Sequence, residues 1–281
     1  MATLKEPPEV SADDFVIKAV KSDKSRKNRL LVYAGDGEGK STFASCAKDP
    51  TFLITPTEDG VQTLVQSGQI AEGKVDAVDP VPQTWDSFIG VLNLFRAGKL
   101  GKDGGTLVID TLNGVQSLLF DKVLVELFAG DDLAFANWST GARASRGTWE
   151  SMLRLLDRIR LERNMGLILL CHKSEQKYDP PEGKDYLRHV PALHKEIWGP
   201  TGKWTDITLF FDRVTVITSE KGKARGKALG GVERICHASR SATHDAKNRH
   251  GLPDSFKLGK SAAESWKIFT TLLKESKGKT K

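Results

Sequence analysis

Short, unbroken apolar runs mark the first two thirds of this chain. "RLLVYA" (29–34), "TFLIT" (51–55), "GGTLVIDT" (104–111) and "MGLILLCH" (165–172) each carry three or more consecutive apolar residues and stop at glycine, proline or charge. Runs this short that do not alternate predict strands buried on both faces of a parallel sheet. Segments of helical period separate them. "TWDSFIGVLNLFRAG" sets Trp85, Phe88, Ile89, Leu92 and Phe95 on one face, with Thr84 as the N-cap. "LNGVQSLLFDKVLVELFAG" and "TWESMLRLLDRIRLER" (148–163) predict two more helices; others are expected at 41–47, 59–67 and 261–275. "DFVIKAV" and "VDAVDPV" read as short strands. Residues 130–147 and 173–191 are polar and read as loops. Later, "LFFDRVTVITS" (209–219) and "GGVERICHAS" (230–239) flank the basic turn "EKGKARGKAL", which predicts a hairpin. The expected class is therefore α/β: a mainly parallel sheet flanked by helices, with an antiparallel C-terminal hairpin. One domain is expected over residues 28–275, after a lead-in (1–27) and before a basic disordered tail (276–281).

Composition narrows the setting. The 281 residues suffice for one large domain. No apolar run approaches the ~20 residues that cross a bilayer. The opening "MATLKEPPEVSADDF" lacks the apolar core of a secretory signal. Cys46, Cys171 and Cys236 are widely spaced and form no CxxC pair. Together these point to a reducing cytoplasm, no membrane and no zinc site. The net charge of +6 is uneven: from Ser219 onward there are 15 basic and 6 acidic residues. That surplus suits a polyanion, although a solvated tail, "KESKGKTK", accounts for four of the charges.

The chemistry concentrates at "AGDGEGKST", comprising Ala34, Gly35, Asp36, Gly37, Glu38, Gly39, Lys40, Ser41 and Thr42. Glycines between a strand and a helix let backbone N–H groups turn inward on phosphate oxygens. Lys40 is placed to reach the β- and γ-phosphates of ATP, and Ser41 to ligate Mg²⁺. Ala34 stands where such loops usually begin with glycine. "TLVIDT" ends a strand in Asp110, a second candidate Mg²⁺ ligand, because ligands gather at the carboxyl ends of parallel strands. Hydrolysis also needs a group to orient or deprotonate water. Glu58, after "TFLIT", is the first candidate, and Asp59 competes with it. His172 ends "GLILLCH" and is a candidate sensor of the terminal phosphate; the plainer alternative is a structural histidine.

Taken together, "AGDGEGKST", Glu58 in "FLITPTEDG", Asp110 in "LVIDT" and His172 in "LLCH" resemble the RecA-like P-loop ATPase core. Within it they are most similar to phage-type nucleotide-binding proteins that include the Sak-group single-strand annealing ATPases. The resemblance spans residues 28 to 250. One departure is an extra residue and a proline in "ITPTEDG" before Glu58. The resemblance implies a DNA-stimulated ATPase acting on single-stranded DNA in annealing or recombination. It also implies a homo-oligomer, ring or filament, a phage-encoded origin, and in some cases a single-strand binding protein as partner. Lys40, Glu58, Asp110 and His172 take the catalytic roles. The segments at 130–147 and 173–190 correspond to DNA-facing loops, with Arg143, Arg146, Lys173, Lys177, Tyr178 and Arg188 as candidate contacts. A basic residue from a neighbouring subunit is expected at the site. Lys247 and Arg249 in "AKNR" are the favoured candidates; Lys221, Lys223 and Arg225 in the hairpin turn are alternatives. Rival readings are a small-molecule kinase, a nucleotide-dependent interaction module, and a ring helicase or packaging motor.

Overall fold

The computed structural model describes residues 26–56, 58, 60–179, 184–218 and 227–278. Strand β1 (Arg29–Ala34) leads into a short helix α1 (Lys40–Ala44). Next come β2 (Pro50–Ile54), α2 (Gly60–Gln66), β3 (Asp76–Ala77), α3 (Trp85–Arg96) and β4 (Thr106–Asp110). Helices α4 (Leu112–Phe128), α5 (Asp132–Ala136) and α6 (Thr140–Glu162) precede β5 (Gly166–Tyr178) and β6 (Tyr186–Pro191). The remainder is α7 (Lys195–Trp204), β7 (Ile207–Thr218), β8 (Lys227–His237), β9 (Lys247–Asn248), β10 (Ser255–Lys257) and α8 (Ala262–Gly278).

The sheet runs in the order β10-β8-β7-β1-β5-β4-β2-β3. From β7 to β3 all neighbours are parallel; β8 and β10 continue it antiparallel. The expected fold class therefore stands. The apolar runs are explained by burial on both faces. Leu31 and Tyr33 of β1, Leu107 and Ile109 of β4, and Leu167 and Leu169 of β5 pack into one core with α3, α4 and α6. Their chain neighbours Leu30, Val32, Val108, Ile168 and Leu170 pack into the other, with Phe43 of α1 and Phe269 of α8. Thr84 caps α3 as expected: its Oγ1 accepts from the Ser87 N–H at 3.2 Å. Cys171 and Cys236 are buried, consistent with small core residues. No helix among the described residues is long and apolar enough to cross a membrane.

Both expected loops are corrected. Residues 130–147 form α5, a single 3-10 turn and the start of α6. Asp131 caps α5 through the Ala134 N–H at 3.0 Å. The first turns of α6 bury small residues, Gly141, Ala142 and Ser145, instead of large apolar ones. A Cβ on Gly141 would fall 2.1 Å from the Phe135 ring, so closeness of backbone replaces hydrophobic periodicity there. Residues 173–178 and 186–191 form a two-stranded arm: β5 runs past the sheet to Tyr178, and β6 returns beside it, antiparallel. This ribbon stands outside the core, so its strands lack the apolar signal. Helix α7 had no such signal either, because Gly199 and Pro200 interrupt it. The C-terminal helix extends to Gly278 and takes in the first part of the expected tail. The strand "DFVIKAV", the turn lysines Lys221 and Lys223, Arg225, Asp59 and the last three residues lie outside the described residues.

A buried tryptophan helps tie α6 to α7. Trp149 is fully buried, and its indole N–H donates to Thr201 Oγ1 at 2.8 Å. Trp149→Ala is expected to cost about 4 kcal/mol, from lost burial plus a cavity; the Thr201 hydroxyl keeps its bond to the Ile197 carbonyl at 2.7 Å. A lowered urea midpoint at unchanged m-value would show it.

Candidate active site at the phosphate loop

The carboxyl ends of β1, β4 and β2, and β5 at His172 where its parallel pairing with β1 stops, open on one crevice. Each brings one of the sequence-predicted groups. After β1 the chain turns through Gly37 and Gly39, whose φ angles are +70° and +83°. Left-handed backbone of this kind favours glycine. It lets the loop close over the start of α1, where Lys40 is buried. Its ammonium donates to the Gly35 carbonyl at 2.9 Å and the Ala34 carbonyl at 3.3 Å. Burial lowers the Lys40 pKa; the charges of Asp36 and Asp110 act against that.

Ser41 Oγ donates to Asp110 Oδ2 at 2.7 Å, which joins the first turn of α1 to the end of β4. Asp110 is 4% exposed. Burial pushes its carboxyl up, the Ser41 hydroxyl opposes this, and the Glu58 charge adds to it. A hydroxyl and a carboxylate oxygen at hydrogen-bonding distance are a hard, all-oxygen pair. That donor chemistry fits Mg²⁺, which takes one or two protein ligands together with phosphate oxygens and water. Bound there, the ion would neutralise phosphate charge. The described residues contain no cluster of three or more His, Cys, Asp or Glu that would suit another metal site.

The extra residue and proline before Glu58 do not remove it from the crevice. Thr55 N–H donates to the Asp110 carbonyl at 2.9 Å, and Glu58 N–H turns back to the Thr55 carbonyl at 3.0 Å. This tight turn absorbs the added length. Glu58 Oε1 then accepts from Thr111 Oγ1 at 3.2 Å and lies 2.9 Å from His172 Nε2. The other His172 nitrogen, Nδ1, lies 2.7 Å from Asp36 Oδ1 of the phosphate loop. His172 thus bridges the loop and the candidate catalytic carboxylate. Asn113 supports β5 at this point: its Oδ1 accepts the His172 N–H at 2.9 Å, and its Nδ2 donates to the Ala192 carbonyl at 2.6 Å. Nothing in the sequence singled out Asn113, because its work is done on backbone two strands away. Lys40, Ser41, Thr42, Asp36, Glu58, Asp110 and His172 line a cavity of about 490 Å³. A larger cavity of about 890 Å³, at the β3 edge, contains none of the predicted groups.

The remaining candidates divide. Arg143 and Arg146 sit on the exposed face of α6; Arg143 donates to the Trp138 carbonyl and Arg146 to Glu150 at 3.0 Å. Lys173, Lys177 and Tyr178 lie on the arm. Tyr178 packs against Tyr186 with ring centroids 5.2 Å apart, and Lys177 pairs with Asp185. Arg188 must be reassigned. It is 6% exposed and is held by Asp245 and the His244 carbonyl, so it anchors the arm's base and faces no outside ligand. Lys247 donates to the carbonyls of Gly202, Lys203 and Thr205 at the end of α7. A cation there satisfies orphan helix carbonyls; burial lowers its pKa to about 8. Arg249 reaches the Lys203 carbonyl and Asp206. Both sit on or beside β9, which pairs with the first residues of β7. That is the sheet end opposite the phosphate loop, so neither reaches the crevice of its own chain.

A family model described as an AAA domain matches residues 26–250. No curated protein matches the chain. Among solved structures, the chain is similar to one titled "Crystal structure of the RadB recombinase". The identity is 12%, with a TM-score of 0.46, over 85% of this chain and 90% of that one. The family match takes in β1 through β9 and with them every group that lines the crevice, and the chain belongs to the AAA domain family of P-loop NTPases.

Proposed function

We propose that this protein is a Mg²⁺-dependent ATPase that acts on single-stranded DNA in annealing or recombination, as a homo-oligomer in a cytoplasmic setting. The observation that carries this reading is the continuity of β5. One strand bears His172 at the crevice and runs directly into the arm that ends at Tyr178. A change at the nucleotide is thereby coupled to the arm through one rigid element. Tyr178 and Leu187 are exposed on that arm beside Lys173, Lys177 and Lys184. Aromatic faces for bases and cations for phosphates are what a single strand requires. Trp138, 82% exposed next to Arg143, offers a second stacking surface. In this reading Glu58 orients the attacking water, Lys40 holds the phosphates, Ser41 and Asp110 hold Mg²⁺, and His172 reports the terminal phosphate. Lys247 and Arg249 serve a neighbouring copy only if they exchange their own α7 carbonyls for its nucleotide. A single-strand binding protein and a phage origin fit this role.

The test is ATP hydrolysis with and without a single-stranded oligonucleotide. Hydrolysis is expected to rise with DNA. Replacing both Tyr178 and Tyr186 by Ala removes one stacking platform, since the two rings pack on each other, and is expected to weaken DNA binding by about 10- to 100-fold, because one base stack contributes about 1–3 kcal/mol. Fluorescence anisotropy of a labelled oligonucleotide measures this. ATP turnover that ignores DNA, with no DNA binding by the wild type, would overturn the reading.

A further inference from the structure

The phosphate loop contains two carboxylates, Asp36 and Glu38, where a polyphosphate would bring several more negative charges. Asp36 meets His172. Glu38 is met from the antiparallel end of the sheet. Arg213, where β7 leaves the core, donates from Nε to Glu38 Oε1 at 2.8 Å. Its cross-strand partner on β8 is Arg234. Arg234 donates to the Glu38 main-chain carbonyl at 3.4 Å and to the Gly259 carbonyl at 3.0 Å. Two arginines directly opposite one another repel unless an acceptor lies between them and a third element. Here that element is the loop. The fit is close: a Cβ on Gly39 would fall 2.7 Å from Arg234 Nη1. Asp212, beside Arg213, lies 3.9 Å from Lys173, so the same strand exit faces cations on both sides.

Glu38 is not an ordinary surface partner. Its side chain is 17% exposed, against 48% for Arg213. Its second oxygen, Oε2, is buried and has no hydrogen-bond partner among the described residues. Exposed ion pairs contribute little because water and salt screen them. A carboxylate withdrawn from water is screened less, and its field reaches the neighbouring anion site.

We propose that Arg213 is a positioning residue for nucleotide binding: it cancels the Glu38 carboxylate so that the loop accepts a polyphosphate, while Arg234 fixes the same limb through its backbone. The proposal deepens the reading of this loop as a nucleotide site and rests on it. It places an in-chain basic pair at the loop, separate from any residue supplied by a neighbouring subunit.

The experiment is calorimetric titration of Mg-ATP into the full chain, for wild type, Arg213→Ala, Arg213→Lys, Glu38→Gln and the double variant Glu38→Gln/Arg213→Ala. Thermal midpoints check folding. Arg213→Ala is expected to weaken binding about tenfold, the scale of one charge-assisted contact. Arg213→Lys should recover most of the loss, since the charge is kept. The double variant should bind within about threefold of wild type, because the uncancelled carboxylate is gone. Equal binding by Arg213→Ala and wild type would overturn the proposal alone. A double variant as weak as Arg213→Ala would do the same, by showing that Arg213 supports the fold and not the charge balance. A wild type that does not bind Mg-ATP would overturn the nucleotide reading, and this proposal with it.

Discussion

Glu58→Gln is expected to cut ATP hydrolysis by about 10²- to 10⁴-fold, the usual contribution of a positioned general base. ATP binding should be kept or tightened. The reasons are geometric and electrostatic. Oε1 of Glu58 is fixed by Thr111 and faces His172, so the carboxylate is oriented before any water arrives. Its charge also raises the buried Asp110 carboxyl. The amide keeps the shape and the acceptor toward Thr111 but loses the basicity, and it relieves the strain on Asp110. Single-turnover hydrolysis and equilibrium binding, measured on the same preparation, separate the two effects. A variant with wild-type turnover would remove Glu58 from the chemistry, and a catalytic group would have to come from elsewhere.

Asp110→Asn is expected to act in opposite directions on function and stability. The side chain is buried and accepts from Ser41 Oγ. Its ionised form carries a desolvation cost that the folded protein bears before any ligand binds. Asparagine keeps an oxygen for Ser41 and carries no charge, so the nucleotide-free variant should be more stable by about 1 kcal/mol. The same change takes the anionic ligand from the Mg²⁺ pair. Mg²⁺-dependent hydrolysis should fall by about 10²- to 10³-fold, as when one preorganised electrostatic group is lost. A urea melt without nucleotide, beside a Mg²⁺ titration of hydrolysis, measures both. A less stable variant would show that Asp110 is a structural carboxylate; a stable and fully active one would place the metal elsewhere.

Both effects depend on a crevice whose members were visible one at a time in the chain. The sequence determined the parallel strands by itself, because strands buried on two faces must be apolar throughout, as Leu30 to Tyr33 and Leu167 to Cys171 are. It determined the phosphate loop too, since only glycine readily takes the left-handed turns at 37 and 39, and it located Asp110 at a strand end; His172 instead lies inside β5, at the point where the strand leaves its parallel neighbours. What it did not carry was anything set by contact between distant segments. The start of α6 packs small residues against Phe135, so closeness replaced the periodicity that marks other helices. The arm lies outside the core, so its strands needed no apolar pattern. Arg188, Lys247 and Arg249 look like free cations in the sequence, yet each is spent on carbonyls or carboxylates that only the fold brings near. Likewise Glu58 reaches the site through a turn that hides its extra residue, and the partners of Glu38 come from strands nearly two hundred residues downstream. Local chemistry writes the loop and the strands. Charge partners and backbone supports are pairwise and long-range, and only the tertiary structure decided them.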